Sequence, residues 1–351
     1  MELGKICFSG DFEVELEIIL RRKSYDKVFV LTDTNVDHYY GRFIMRMLKR
    51  YPTQKIVITA GDEHKNIDSL SDIWSFLSDA GASRHSCMIN FGGGMITDIG
   101  GFAASTFKRG IDFINIPTTL LAMIDASSGG KTAINFNGLK NEIGAFAQPT
   151  AVIVHKAFIN TLNITDILSG YAEMLKHALI NNEEMWRDIL TYDLNNRSTF
   201  KFMDMIRNSA RVKEHIVNDD PKEMNIRKIL NFGHTFGHAF EELSLSWNRP
   251  LLHGYAVAYG MVCELYLSSV LKGFPTDKMR QTVRFINEKY GKFAITCNDY
   301  DGLLELMRHD KKNSNGNINF ALLEDIGCPV LDCHATKDDI FEAFDFLREG
   351  M

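Results

Sequence analysis

Several things this 351-residue sequence lacks narrow it before any motif is considered. Its six cysteines (Cys7, Cys87, Cys263, Cys297, Cys328, Cys333) contain no CxxC pair and no regular spacing, so the expectation is reduced thiols in a cytoplasmic protein. Cys328 and Cys333 near His334 are a minor candidate for a second metal. There is no polybasic run, and the net charge of −6 is spread over interspersed acids and bases, which excludes a nucleic-acid or membrane surface and leaves a small substrate. No stretch approaches the roughly 20 apolar residues of a membrane span. The alternating acids of Met1 to Leu20 do not read as a signal peptide. Internal repeats and low-complexity segments are missing too.

What is present supports two cores. The chain exceeds the size at which one core keeps growing, and 45% of its residues are hydrophobic. Short apolar runs at Lys27–Thr32, Lys55–Thr59, Ser86–Phe91, Phe113–Pro117 and Ala151–Val154 alternate with helical patterns, which predicts a mostly parallel sheet. From about Asn160 onward the periodicity is helical, with one strand candidate at Asn317–Leu322. Thr165-Asp166 reads as an N-terminal cap, and Asp166–Ile180 as a helix carrying Glu173, Lys176 and His177.

The chemistry concentrates in Asn231-Phe-Gly-His-Thr-Phe-Gly-His238. Histidines four apart on a helix share one face, about 6 Å apart. With His253 downstream and Glu173 upstream, three imidazoles and a carboxylate can converge on one divalent metal. A catalytic zinc typically keeps three protein ligands, so Glu173, His234 and His253 suffice, and His238 is left for substrate. Gly233 and Gly237 flank the histidines although glycine costs about 1 kcal/mol inside a helix, which implies close approach to that backbone.

Gly92-Gly93-Gly94-Met95-Ile96-Thr97-Asp98 follows a strand and opens a helix, an arrangement that lets backbone N–H groups meet a pyrophosphate, although it is not GxGxxG. Asp33, ending another strand, suits a ribose hydroxyl or a turn equally well. Pro117–Leu121 leads through Asp125 and Gly129-Gly130-Lys131-Thr132 to Gly138–Phe146. There Lys131, Lys140 and Asn141 on glycine-rich turns suit anionic oxygens, or form a hairpin with solvated lysines. Arg109, Lys213, Arg227 and Lys311-Lys312 add cations beside these segments. A metal, a nucleotide turn and several cations fit a polyanionic substrate.

Gly92–Asp98, Pro117–Leu121, Gly129–Thr132, Lys140-Asn141, Ala172-Glu173, Asn231–His238, His253-Gly254 and Asp310-Lys311-Lys312 stand in an order and spacing that resemble the 3-dehydroquinate synthases, from about Asp33 to Gly327. More distantly they are similar to metal-dependent polyol dehydrogenases. The resemblance implies an α/β, Rossmann-like N-terminal domain with a parallel sheet (1–158), an all-α C-terminal domain for metal and substrate (159–351), an active site in the interdomain cleft, and a homodimer. It implies conversion of 3-deoxy-D-arabino-heptulosonate 7-phosphate to 3-dehydroquinate and phosphate, in the pathway to chorismate and the aromatic amino acids. The implied steps are transient oxidation by NAD, phosphate elimination, re-reduction and aldol closure.

By the same resemblance, Glu173, His234 and His253 hold zinc or cobalt. Gly93, Gly94, Met95 and Asp98 hold NAD, together with Asp33, Asn35, Asp62, Lys65, Thr118, Thr119, Asp125, Lys131 and Lys140. Lys131, Asn141, Lys176, Lys213, Arg227, Asn231 and His238 belong to the substrate pocket, with Lys311 or Lys312. Arg109 matches an arginine that reaches the neighbouring subunit's site. The chain departs from the family pattern at Tyr255, where a glutamate usually follows the His-Gly pair beside His253. Asp62 for glutamate, Thr97 for glycine and Pro221-Lys222 for an acidic-basic pair are further departures. The alternatives are a sister cyclase acting on sedoheptulose 7-phosphate, a polyol dehydrogenase, and a non-catalytic NAD-sensing module. Lys213 and Arg227 weigh against the sister cyclase, which lacks a carboxylate to pair with them.

Overall fold

A computed structural model describes residues 4–308 and 318–349. The chain divides into two compact units, Met1–Asn163 and Ile164–Met351. In the first unit the elements run β1 (Ile6–Phe8), α1 (Phe12–Lys23), β2 (Val28–Asp33), α2 (Thr34–Met47), β3 (Thr53–Ile58), α3 (Ile67–Asp79), β4 (Cys87–Gly92), α4 (Gly94–Thr106), β5 (Asp112–Pro117), β6 (Lys131–Phe136), β7 (Leu139–Phe146) and β8 (Ala151–Val154). Six strands form one parallel sheet in the order β1-β8-β5-β4-β2-β3. β2 and β4 are buried at every residue, as expected for interior strands covered by helices on both faces. The edge strand β3 is largely half-buried or exposed. β1 escapes the sequence reading because three half-buried residues are too few to show a period.

The strand order reverses between β2 and β4: β2 leads to β3 on one side, β4 to β5 on the other. In open α/β sheets ligands bind outside the carboxyl ends of the strands at such a switch point. Asp33 ends β2 and Gly92 ends β4, so the glycine turn and the aspartate flank that crevice. The segment with two sequence readings is an antiparallel hairpin, β6 with β7, and β6 packs against α4.

In the second unit the elements are α5 (Ile164–Asn181), α6 (Glu183–Thr191), α7 (Phe200–Asp219), α8 (His234–Ser246), α9 (His253–Lys272), α10 (Thr276–Tyr290), α11 (Tyr300–Arg308), β9 (Phe320–Asp325), β10 (Cys328–Cys333) and α12 (Lys337–Glu349). The unit is helical, with one addition to the all-α expectation: β9 pairs antiparallel with β10. Helix α5 starts at Ile164, so Thr165 and Asp166 lie in its first turn and not before it.

Helix α9 packs against α5, α8, α10, α12 and β9. It corrects the reading that no segment is long and apolar enough for a membrane: by length and composition α9 is, yet 72% of its most apolar stretch is buried, as in a core helix. Its crossing with α8 explains the glycines beside the histidines. A Cβ at Gly237 would lie 3.1 Å from the Ala256 carbonyl oxygen, and one at Gly260 would overlap the Gly233 carbonyl oxygen. The close approach inferred from Gly233 and Gly237 is therefore that of helix α9.

Candidate functional site

Glu173 on α5 is fully buried, and its Oε1 faces two imidazoles: His234 Nε2 and His253 Nε2 each lie 3.4 Å away. Oxygen and nitrogen ligands about 2.0–2.2 Å from a tetrahedral zinc sit roughly 3.4 Å from one another, so the spacing suits a metal. Among the described residues no hydrogen-bond donor reaches either Glu173 oxygen, although Lys176 forms an ion pair with Oε2 from one turn on. A buried carboxylate without hydrogen-bond donors is costly, and a divalent cation at this position supplies what it lacks.

The outer ring nitrogens each face an acceptor. His234 Nδ1 lies 3.2 Å from the Phe232 carbonyl oxygen and His253 Nδ1 lies 3.3 Å from Glu241 Oε2. A proton on each Nδ1 points toward that acceptor, which leaves Nε2 as the ring atom facing Glu173 and available to a metal. Burial opposes charge on both rings. On His234 it prevails, with Lys176 adding to it, and the pKa falls to about 3. On His253 contacts with Glu173 and Glu241 outweigh burial, and the pKa rises to about 10. Burial would also raise the Glu173 pKa, but Lys176 and the imidazoles hold it well below the ordinary range. His238 stands one turn beyond His234, ring centroids 5.4 Å apart, and 6.2 Å from the His253 ring.

In the first unit α4 begins at Gly94 with Gly93 before it, and no side chain caps its N-terminus. A Cβ at Gly93 would lie 3.0 Å from Thr119 Cγ2. Buried Thr118 Oγ1 has no hydrogen-bond partner among the described residues, and the Thr118 N–H donates to the Gly92 carbonyl at 2.9 Å. An uncapped helix end, a turn without a side chain and an orphaned hydroxyl fit a phosphate-bearing cofactor. Met95 packs at the rim of the adjacent core, and half-buried Asp125 lies in a π-helical turn.

Asp33 proves to be the N-cap of α2: its Oδ1 accepts from the N–H groups of Asn35 and Val36, both at 2.9 Å, while burial raises its pKa. That use does not occupy Oδ2. Asn35 is exposed. Lys65 is buried and donates to Asp98 Oδ2 at 3.0 Å and to Asn141 Oδ1 at 2.6 Å. It also pairs with Asp62, which pairs in turn with Lys140. Burial opposes these charges, but Asp98 and Asp62 raise the Lys65 pKa, and Lys65 and Lys140 lower that of Asp62. The Asn141 backbone N–H donates to Asn135 Oδ1 at 3.0 Å, and Asn141 takes φ +52°. Five sequence-selected residues from three segments thus form one polar cluster.

Lys213 on α7 and Arg227 are buried. The Arg227 Nη1 donates to the Pro221 carbonyl at 2.8 Å and Asn231 Nδ2 donates to Glu223 Oε1 at 2.8 Å. Lys131 opens β6 and is exposed, as is Arg109, which has φ +69° in the turn after α4. Lys311 and Lys312 lie outside the described residues. Cys328 and Cys333 open and close β10, and no metal-type cluster among the described residues includes them.

The sequence reading missed three carboxylates. Asp220 accepts from the N–H groups of Met224, Asn225 and Arg227, folding the turn that carries Arg227. Glu241 meets His253, while Tyr255, standing where the family pattern has a glutamate, packs edge-on against Tyr290. Glu264 is fully buried under the start of α8. Its one signal is a lone charge within the apolar run Ala256–Leu267.

The two-unit fold recurs in sugar-derived synthases. A 2-deoxy-scyllo-inosose synthase solved with carbaglucose-6-phosphate, NAD+ and Co2+ superposes with a TM-score of 0.84 at 22% identity, covering 99% of this chain and 96% of that one. A 2-epi-5-epi-valiolone synthase from Streptomyces hygroscopicus, with NAD+ and Zn2+ bound, gives 0.84 and 22%, covering 99% and 98%. Sequence narrows this further. Residues 55–169 match the 3-dehydroquinate synthase N-terminal model and 170–313 the C-terminal one. A 3-dehydroquinate synthase of Parabacteroides distasonis is 49% identical over 350 residues, covering 100% of this chain and 99% of that protein. The chain belongs to the 3-dehydroquinate synthase family.

Proposed function

We propose that the chain converts 3-deoxy-D-arabino-heptulosonate 7-phosphate to 3-dehydroquinate and phosphate, as a lyase that depends on NAD and a divalent metal. The observation that carries this reading is the Glu173–His234–His253 cluster within a chain matched by both family models. NAD and the metal, when bound, supply reversible hydride exchange and polarisation of the alcohol and ketone oxygens.

The protein's own groups account for the rest. Glu173, His234 and His253 hold the metal, and Lys176 offsets the Glu173 charge. Gly93, Gly94 and Met95 leave the α4 N-terminus open to the NAD pyrophosphate. Asp33, Asn35, Thr118, Thr119, Asp125, Lys131 and the cluster of Asp62, Lys65, Asp98 and Lys140 hold the remainder of the cofactor. Lys131, Asn141, Lys213, Arg227, Asn231 and Lys311 or Lys312 bind the phosphate and carboxylate, positioning the substrate for elimination. His238 exchanges a proton with the reacting hydroxyl region. The first unit, 1–158 in this scheme, is the NAD domain, and 159–351 is the metal and substrate domain. We further propose a cytoplasmic homodimer in which Arg109 serves the neighbouring subunit. Exposed Phe136, Leu139, Ile143 and Phe146 on the hairpin supply apolar surface for such a contact.

The test is phosphate release from the heptulosonate by purified protein, with and without EDTA, after NAD is stripped and restored. Release that requires both cofactors, with no NADH accumulating, is expected. No release from this substrate, with release from sedoheptulose 7-phosphate, would replace the reading by the sister cyclase.

A further inference from the structure

Helices α8 and α9 each carry one imidazole of the metal cluster, and each also carries a buried carboxylate directed at the other helix. Glu264 on α9 accepts from the Gly233 N–H at 2.6 Å through Oε2 and from the Thr235 N–H at 3.2 Å through Oε1. These donors bracket His234. Gly233, at φ +80°, has no side chain with which to cap α8, so the cap comes from the neighbouring helix. In return Glu241 on α8 reaches His253 Nδ1 at 3.3 Å. The two contacts span the same helix crossing, where Gly260 admits the Gly233 carbonyl.

From this arrangement we infer that Glu264 and Glu241 are reciprocal positioning residues, a crossed brace that fixes the spacing and ring orientation of His234 and His253 for a metal ion. The inference rests on the proposed metal reading and extends it to two residues outside the ligand set. A serine or aspartate beside the helix start would cap α8 without burying a charge from elsewhere. The carboxylate of Glu264 does more: it ties the backbone around His234 to the helix that bears His253. It also sits where the helix dipole favours negative charge. Glu241 fixes the His253 ring from the opposite direction, as carboxylates behind metal-ligating histidines commonly do.

Glu264→Gln keeps one acceptor oxygen and turns an NH2 group toward the second backbone N–H. Glu241→Gln weakens the hold on the His253 proton. Metal-free wild type and both variants are titrated with Zn2+ against a competing chelator, loaded with Co2+ for absorption spectra, and melted in the metal-free state. Each variant is expected to bind Zn2+ about 10- to 100-fold more weakly than wild type. The Co2+ spectrum should change while NAD affinity does not. A folded Glu264→Gln protein with wild-type Zn2+ affinity and Co2+ spectrum, however low its melting point, would reduce Glu264 to a structural cap and overturn the brace. Wild-type protein that binds neither ion would instead sink the metal reading itself. If Glu264→Gln does not fold, Glu264→Asp takes its place. If neither folds, amide exchange in metal-free wild type decides: slow exchange at Gly233 and Thr235 is expected, and exchange at unprotected rates would overturn the brace.

Discussion

At the residue scale, the site turns on which atom each side chain presents. His234 and His253 both offer Nε2 to Glu173, because the Phe232 carbonyl and Glu241 occupy the Nδ1 positions. Under the proposed function, His234→Ala removes one of three ligands. Loss of several kcal/mol of charge stabilisation by the metal corresponds to about a thousandfold or more in rate. The expected outcome is turnover below detection, with metal content reduced and NAD affinity within about twofold of wild type; metal analysis and an NAD titration check this. Retained turnover in metal-free buffer would refute the ligand assignment. The site residues were legible from sequence only in part: His234 and His238, four apart in a helical pattern, share a face, while Glu173 and His253 came from separate motifs. Glu241 and Glu264 were not legible, because a buried glutamate on an apolar helix has no local pattern that names its partner.

At the element scale, the crossing of α8 over α9 sets the distance between the two imidazoles. Gly260→Ala would place a methyl group against the Gly233 carbonyl oxygen. Overpacking of this kind costs typically 1–3 kcal/mol. Denaturant unfolding of the metal-free protein should show a loss within that range, accompanied by weaker Zn2+ binding. An unchanged midpoint would mean that the helices separate at no cost and that the crossing does not set the site. The strands β2, β4, β5 and β8 were readable as apolar, β-branched runs, because buried parallel strands need no alternation. β1 and β10 were not: the first is three residues long, and the second is mostly half-exposed and interrupted by register shifts.

At the scale of the whole molecule, the proposed function gives the two cofactors to different units. Ligands that bind only the folded state slow local opening near their sites. Hydrogen exchange should therefore separate them: NAD is expected to protect Gly92–Asp98 and the Lys65 cluster, and Zn2+ to protect α5, the start of α8 and the start of α9. Protection of α8 by NAD alone, with none in α4, would overturn the division of labour.

By itself the sequence determined the parallel sheet, the helical second half and the glycine turn before α4, and it singled out Glu173, His234 and His253 as the proposed ligands. The first three are carried by local periodicity or by spacing along one element, and the proposed ligands by separate motifs standing in the family's order. Only the tertiary structure decided that Gly237 and Gly260 serve a helix crossing, that Asp33 caps α2, that Lys65 draws together Asp62, Asp98 and Asn141, and that Glu264 caps a helix it does not belong to. Each of these joins residues distant in sequence. Which buried polar group finds which partner is settled by packing, since a donor or acceptor removed from water must be satisfied by whatever the fold brings beside it.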